Sequence, residues 1–336
     1  MRNRRRLVVF AAAVLIGLVG GGLWSGVAVA EDEGGTAGLR AQLDEATRGY
    51  LEATTKLEAS KARQAELTTQ LADVQTQFAR ESEAVAAIAA SAYRSAGITA
   101  HSTAGIFATG TADGFLDRVT MLNALASHED AVVSRLVNTR DEANAAKVAI
   151  DAEIEAQQAQ LAEMAARKQQ AEQALWASGG GQASGGFGGS SSATADPAPR
   201  NADGSWPPES CSVYEDVTGG CITPRTAHAR DQAQAAGFTH YVSCWRAVND
   251  GGEHPKGRAC DFAAAVSGFS NSAAVGDERT YGNNLAAFFI NNANALGVLY
   301  VIWYRQIWLP GSGWRAYSGS GSPSAEHTNH VHLSVY

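Results

Sequence analysis

The sequence predicts a multidomain chain: an N-terminal antiparallel α-helical coiled coil, a Gly/Ser linker, and a C-terminal α+β domain with a small antiparallel sheet. Three observations predict it. Residues 36–178 are rich in Ala, Glu, Gln, Lys and Leu and contain no proline. Residues 179–203 are dominated by Gly and Ser, ending in Pro197 and Pro199. The remainder carries all four cysteines and alternates turn residues with short apolar runs. The boundaries that follow are a leader at 1–30, the coiled coil at 31–178, a disordered linker at 179–203 and a final domain at 204–336.

The leader reads Met1-Arg2-Asn3-Arg4-Arg5-Arg6, then an apolar stretch from Leu7 that ends in Ala28-Val29-Ala30. A basic start, an apolar run and a small-x-small end describe a cleaved signal peptide. An uncleaved anchor is the alternative, since about 20 apolar residues span a bilayer. Either reading predicts an exported, extracellular or wall-associated chain. Losing the four leader arginines takes the formal net charge from −8 to −12. An acidic chain without a basic cluster excludes nucleic acid as the main partner. Four cysteines in an exported chain predict disulfides before a thiolate metal site.

Within the coiled coil, Leu43, Tyr50, Leu57, Leu71, Phe78 and Val85 recur at seven-residue spacing, with Leu39, Leu67, Val74 and Ile88 at the second seam position. Apolar residues at both seam positions between charged flanks predict a coiled coil. Ser60, Gln64 and Glu81 interrupt the seam. A break is expected over 97–114, followed by a second helical pattern through Phe115, Val119, Leu122, Val133, Leu136, Ala143, Ile150, Ile154, Leu161, Met164 and Leu175. Two helices of similar length with a short connection fold back as an antiparallel hairpin; a parallel homodimer is the alternative. His101 and His128 read as surface residues. The Gly-rich run 179–203 lacks the apolar surface to fold.

In the final domain, Pro224 to Ala236 predicts a helix with proline in its first turn, and Leu285 to Leu296 a second. Val298 to Tyr304 and Val331 to Val335 predict strands. The aromatic cluster Trp303, Tyr304, Trp308, Trp314 and Tyr317 is expected mainly in the core, with room for one or two in a groove.

Four of the eight histidines fall in two short segments. His254-Pro255-Lys256-Gly257-Arg258-Ala259-Cys260-Asp261 supplies an imidazole and a carboxylate, and His327-x-x-His330-Val331-His332 lies close to the end of the sequence. In a strand, residues i and i+2 share a face, so His330 and His332 point together while Val331 and Leu333 enter the core. Imidazole and carboxylate suit zinc, and three protein ligands leave a position for water, as in a catalytic site.

These two segments resemble the zinc D-alanyl-D-alanine carboxypeptidases and the penicillin-insensitive murein endopeptidases, a group sharing its metal geometry with lysostaphin. The resemblance implies Zn2+ bound by His254, Asp261 and His332. It implies that His330 faces substrate and handles protons or steadies the oxyanion, and that His327 is a further active-site residue. Tyr241-Val242-Ser243-Cys244-Trp245-Arg246 matches the segment carrying a substrate-facing arginine, which makes Arg246 a catalytic candidate; an ion pair is its structural alternative. Arg258 either braces its loop or touches substrate.

The chain departs from the carboxypeptidase pattern at Asn329, where a Glu is usual, and at Gly252, where a Ser is common. Glu326 is the only acid nearby, which favours a histidine-based branch. Neutral His330 or His327 can accept a proton, since the reference pKa is near about 6.5. Spacing leaves open which of them does so.

Ala92-Tyr93-Arg94-Ser95-Ala96-Gly97 with Asp113-Gly114-Phe115-Leu116-Asp117-Arg118 resembles the coiled-coil segments before the catalytic domains of Gram-positive and actinobacterial cell-wall hydrolases. There the arm controls access or docks on a membrane partner, which implies a division or cell-wall complex as partner. Of the three cysteine pairings, Cys211–Cys221 with Cys244–Cys260 is expected: the first closes a short loop, and the second staples the metal loop to the arginine segment. The function expected is a secreted zinc peptidoglycan peptidase, endo- or carboxy-acting on stem peptides, with a regulatory arm. The alternative is a non-catalytic wall-binding scaffold or activator with a vestigial metal site.

Overall fold

The computed structural model describes residues 36–107 and 112–336. Helices α1 (Ala37–Phe107) and α2 (Ala112–Ala177) form the antiparallel hairpin. At about 1.5 Å per residue, the 71 residues of α1 extend over roughly 105 Å. Partners across the hairpin run in opposite order: Glu81 meets Thr139, Gln64 meets Gln157, and Arg167 lies against Gly49.

The residues that interrupt the seam have a structural role. Ser60 Oγ donates to Glu153 (2.5 Å), Gln64 accepts from Gln157 (2.8 Å), and Glu81 accepts from Thr139 (2.6 Å). Polar pairs at seam positions fix register at some cost in stability. Two expectations are corrected. Helix α1 continues through Gly97 and Gly105, so of the break expected over 97–114 only 108–111 is left, outside the described residues. A glycine costs a helix about 1 kcal/mol, which a long cooperative helix absorbs. In α2, Phe115, Val119, Leu122, Val133, Ile154 and Leu161 are exposed rather than seam-facing, and Val132 and Thr139 are buried instead. Leu136, Ala143, Ile150 and Met164 are half-buried and Leu175 is buried, so the rest of the expected pattern does face inward. His128 is exposed; the side chain of His101 lies outside the described residues.

The C-terminal domain begins with a hairpin of β1 (Val213–Glu215) and β2 (Gly220–Ile222), closed by the Cys211–Cys221 disulfide. Helix α3 (Pro224–Ala235) starts as expected, with Pro224 in its first turn and Thr223 Oγ1 accepting from Thr226 N (3.3 Å). Strands β3 (Val242–Ser243) and β4 (Ala259–Ala263) follow, then α4 (Gly276–Asn291) and the short α5 (Ala293–Leu296). The helix expected at 285–296 therefore starts nine residues earlier and divides at Asn292, whose side chain donates back to Phe288 O and accepts from Ala195 N. Strands β5 (Val298–Trp303), β6 (Gln306–Leu309), β7 (Gly313–Ala316) and β8 (His330–Val335) complete the domain. One antiparallel sheet has the order β3-β4-β8-β5-β6-β7.

The sheet is covered on both faces. Phe262, Val301, Trp303, Val331 and Leu333 pack with Leu285, Phe288 and Phe289 of α4. On the opposite face, Tyr300, Ile302, Ile307 and Leu309 pack against Leu43, Ala46 and Leu51 of α1 and Ala171, Ala174 and Leu175 of α2. The base of the arm thus serves as the second layer over β5 and β6.

The run 179–203 has neither helix nor named strand, in keeping with its composition, yet it is not a free tether. Gly181 N donates to Ala316 O (2.9 Å), Ala195 N to Asn292 Oδ1 (2.9 Å) and Ala198 N to Ala295 O (2.8 Å). Phe187 packs edge-on against Tyr304 and Trp314. Contacts with the folded domain supply the apolar burial that the segment lacks by itself.

Charged groups ring the base of the arm. Fully buried Glu253 takes Arg48 of α1 (2.9 Å), Lys256 (2.9 Å) and Arg258. Asp44 lies against it. Burial first, then the adjacent Glu253 carboxylate, hold the Asp44 carboxyl well above its ordinary range. Burial would also raise Glu253, but the hydrogen bonds from Asp44 and Arg258 and the charges of Arg48 and Arg258 hold it below. Folding therefore takes up a proton at Asp44. That contribution is complete below about pH 4 and is lost as pH rises. Asp44→Asn donates the same hydrogen bond without a proton. It should raise stability by about 1 kcal/mol at neutral pH, with the gain shrinking towards about pH 4. Thermal melts across pH test this; a variant less stable than the parent at neutral pH would show that Asp44 is ionised beside Lys256.

Candidate metal centre

Strand register assembles the centre. Asp261 of β4 lies directly opposite His332 of β8, and Ala263 opposite His330. Alternation puts Cys260, Phe262, Val331 and Leu333 on the core face and leaves Asp261, His330 and His332 on the other. His254 opens a single 3-10 turn, His254–Lys256, which Gly257 closes at φ 70°. A side chain at that glycine would press on Cys211 Sγ and the Cys221 carbonyl, so only glycine fits. The Cys244–Cys260 disulfide ties β4 to the arginine segment just after β3, and both cysteine pairings are those expected from sequence.

Among the described residues, His254, Asp261 and His332 form a buried group able to hold one metal ion. His254 Nε2 lies 3.2 Å from His332 Nδ1, and the Asp261 carboxylate spans the pair, with Oδ2 3.1 Å from His254 Nε2 and Oδ1 2.9 Å from His332 Nδ1. Ligands about 2.0–2.1 Å from a tetrahedral ion are spaced about 3.3 Å apart, so the two imidazole nitrogens and either carboxylate oxygen are spaced as ligands of one ion would be. Tautomers agree with this. His332 Nε2 lies 2.8 Å from Ser334 Oγ, and His254 Nδ1 lies 3.3 Å from the Cys244 carbonyl, which only accepts. With those ring nitrogens donating, lone pairs remain on the two nitrogens that face each other.

His330 and His327 stand beside this group without joining it. His330 Nε2 is 3.4 Å from Asp261 Oδ1 and has no hydrogen-bond partner, and neither has His327 Nδ1. The His327 ring lies 4.7 Å from that of His330 and 5.5 Å from that of His332, with Tyr317 edge-on at 5.0 Å. Burial depresses His330 to about 4; the Asp261 carboxylate opposes this, while His332, His254 and Arg246 add to it. Burial likewise pushes His327 well below its ordinary value, with His330 and His332 contributing. Burial would raise Asp261, but His254 and His330 facing it, with His254 and His332 in close contact with its oxygens, outweigh that and hold it well below the carboxylate range. An ionised carboxylate bordered by His330 and His327, which burial keeps neutral, suits a cation.

Arg246 lies close enough to influence His330, and its Nη2 pairs with Asp250 Oδ2 at 2.5 Å. Arg258 braces the metal loop through Glu253, and Glu326 turns outward to Arg305. Among the described residues, three non-glycine residues have positive φ, Tyr304, Arg305 and His327, and they meet at one junction. Tyr304 N donates to His327 O and Arg305 N to Glu326 O. Left-handed backbone costs roughly 1–3 kcal/mol per residue and tends to concentrate at functional sites.

Three further residues border the site. Ser334 continues the i, i+2 alternation beyond His332 and was legible by that rule. Tyr300 stacks on the His332 ring (5.6 Å, 10° between planes), but it lies in an unbroken apolar run. Phe269 sits edge-on to His330 at 5.3 Å from a loop with no periodicity.

A family model described as "VldE, C-terminal domain" matches residues 218–328. That span includes Arg246, His254, Asp261 and His327 and stops short of His330 and His332. No curated protein and no solved structure matches this chain.

Occupation of this group by one divalent ion, tested with Zn2+, should raise stability by about 2.7 kcal/mol at a hundredfold excess over Kd. His332→Ala or Asp261→Asn should abolish the gain, and Ser334→Ala should weaken binding about 10–100-fold. Calorimetric titration measures all three; zinc affinity unchanged in His332→Ala would remove the proposed ligand set.

Proposed function

We propose that the chain is a secreted zinc-dependent peptidoglycan peptidase, cleaving an amide bond of the stem peptides or their cross-bridges, with the coiled-coil arm as its regulatory element. The observation that carries this reading is the open ligand group: three donors on one side, with the unpartnered nitrogen of His330 beside them. A purely structural zinc site is closed by four ligands. The resemblance of the His254–Asp261 and His327–His332 segments to the zinc D-alanyl-D-alanine carboxypeptidases and murein endopeptidases supports the substrate class. Two disulfides support an oxidising, extracellular setting. Among the described residues no helix is long and apolar enough to cross a membrane.

Zn2+ held by His254, Asp261 and His332 would polarise the scissile carbonyl and make water acidic enough to deprotonate near neutral pH. His330 Nε2, which has no partner of its own, would accept a proton from the attacking water and return it to the leaving amine as the C–N bond breaks. His327 borders the same space, and Arg246 offers positive charge to a peptide carboxylate or the developing oxyanion.

The contacts of the arm support its regulatory assignment. Arg40 Nη2 donates to Asp250 O (2.5 Å), and Ala37 rests on Gly251, in the loop that holds Arg246. Leu43 of α1 and Tyr300 line one cavity of about 20 Å³, room for a single water. At the other end of the hairpin, exposed Leu116, Met121, Leu122 and Leu125 support docking on a membrane-bound division or cell-wall complex.

The whole chain, incubated with purified muropeptides and read by mass, should add one water across a peptide bond. Chelation should stop the reaction, zinc should restore it, and Asp261→Asn should lower the rate at least about 100-fold. A zinc-loaded chain that yields no product on monomeric or cross-linked muropeptides would favour a non-catalytic wall-binding scaffold.

A further inference from the structure

We infer that Asn329, the residue standing where the carboxypeptidase pattern has an acid, is a positioning residue that fixes the tautomer of His330 and so makes its Nε2 a proton acceptor. One hydrogen-bonded chain links Ser270, Asn329 and His330. The Ser270 carbonyl can only accept, and Asn329 Nδ2 lies 2.6 Å from it, with Ser324 Oγ at 3.1 Å. The amide nitrogen must therefore face Ser270. The other end of the amide, Oδ1, is left facing His330 Nδ1 at 2.7 Å. An amide oxygen has no proton to give, so Nδ1 carries the hydrogen. In a neutral ring that leaves the lone pair on Nε2.

The alternative tautomer makes a different site. With hydrogen on Nε2, His330 would donate towards Asp261 Oδ1, 3.4 Å away, competing with the carboxylate's role as ligand and leaving no acceptor for a water proton. With hydrogen on Nδ1, two acceptors face each other across a buried space, and only a donor such as water satisfies both. Asn329 and His330 are both almost fully buried, so solvent does not randomise the choice. The loop that supplies Ser270 is itself anchored: Ala264 N donates to Asn329 O (2.9 Å), and Ala274 N to Thr328 O (2.8 Å). The main chain of that loop thus sets the amide, and the amide sets the imidazole.

The catalytic consequence rests on the hydrolytic reading above; the tautomer does not. Long-range 1H–15N correlation of the 15N-histidine-labelled, zinc-loaded chain at neutral pH reads the tautomer directly, with His330→Gln used to assign the signals. Protonated Nδ1 and bare Nε2 are expected at His330. Asn329→Ala should shift the ring towards protonated Nε2 and lower kcat about 100-fold with KM little changed, while zinc affinity stays within about threefold because no ligand is touched. Asn329→Asp still accepts from Nδ1 and should keep the parent tautomer and recover part of kcat. Protonated Nε2 in the parent chain, or a ring unmoved by Asn329→Ala, would overturn the inference. The expected tautomers in a chain that cleaves no muropeptide would uphold the positioning role and reject the peptidase.

Discussion

The pairing of β4 with β8 is the constraint on which the rest of the structure depends. Its register sets Asp261 opposite His332, and a slip of β8 by one residue would turn His330 and His332 into the hydrophobic core, away from Asp261, and bring Val331 and Leu333 out. Several features hold that register: Val331 and Leu333 buried against α4, the Cys244–Cys260 bridge on the core side, and β5 closing the other edge of β8. The His254 turn is then brought to the pair by the Glu253 network and by Gly257 beneath the first disulfide.

The same alternation explains why the arm and the metal centre are neighbours. Residues of β5 that avoid the α4 side, Tyr300 and Ile302, point to the face that bears the histidines. Tyr300 touches both, packing among the arm residues and stacking on His332. The helical base therefore supplies part of the wall of the centre as well as the second layer of the sheet. Polar seam residues Ser60, Gln64 and Glu81 make this docking possible, because they hold α2 at one height along α1.

How much of this could be read in the sequence depends on how local each signal was. His330 and His332 declared a strand face through period two, and the pairing with Asp261 was inferred from chemistry and resemblance. The heptad of α1 was legible because Leu and Phe mark it. The seam of α2 was legible only in part: Leu136, Ile150, Met164 and Leu175 turn inward as expected, while Val133, Ile154 and Leu161 face outward and alanine and polar residues take their places. The 179–203 segment read as a free linker because its anchors lie on other elements, at Asn292, Ala295 and Ala316. Asn329 registered only as a missing acid; its role depends on Ser270, fifty-nine positions away in sequence, which no local pattern reveals.

The central claim is that His254, Asp261 and His332 meet at a single ion and leave part of its coordination open. Anomalous diffraction from crystals of the zinc-loaded chain, recorded on both sides of the zinc edge, tests it most directly. One anomalous peak bounded by His254 Nε2, Asp261 and His332 Nδ1, with no fourth protein atom bound, is the result this account predicts. A peak elsewhere, or one enclosed by four protein ligands, would contradict it.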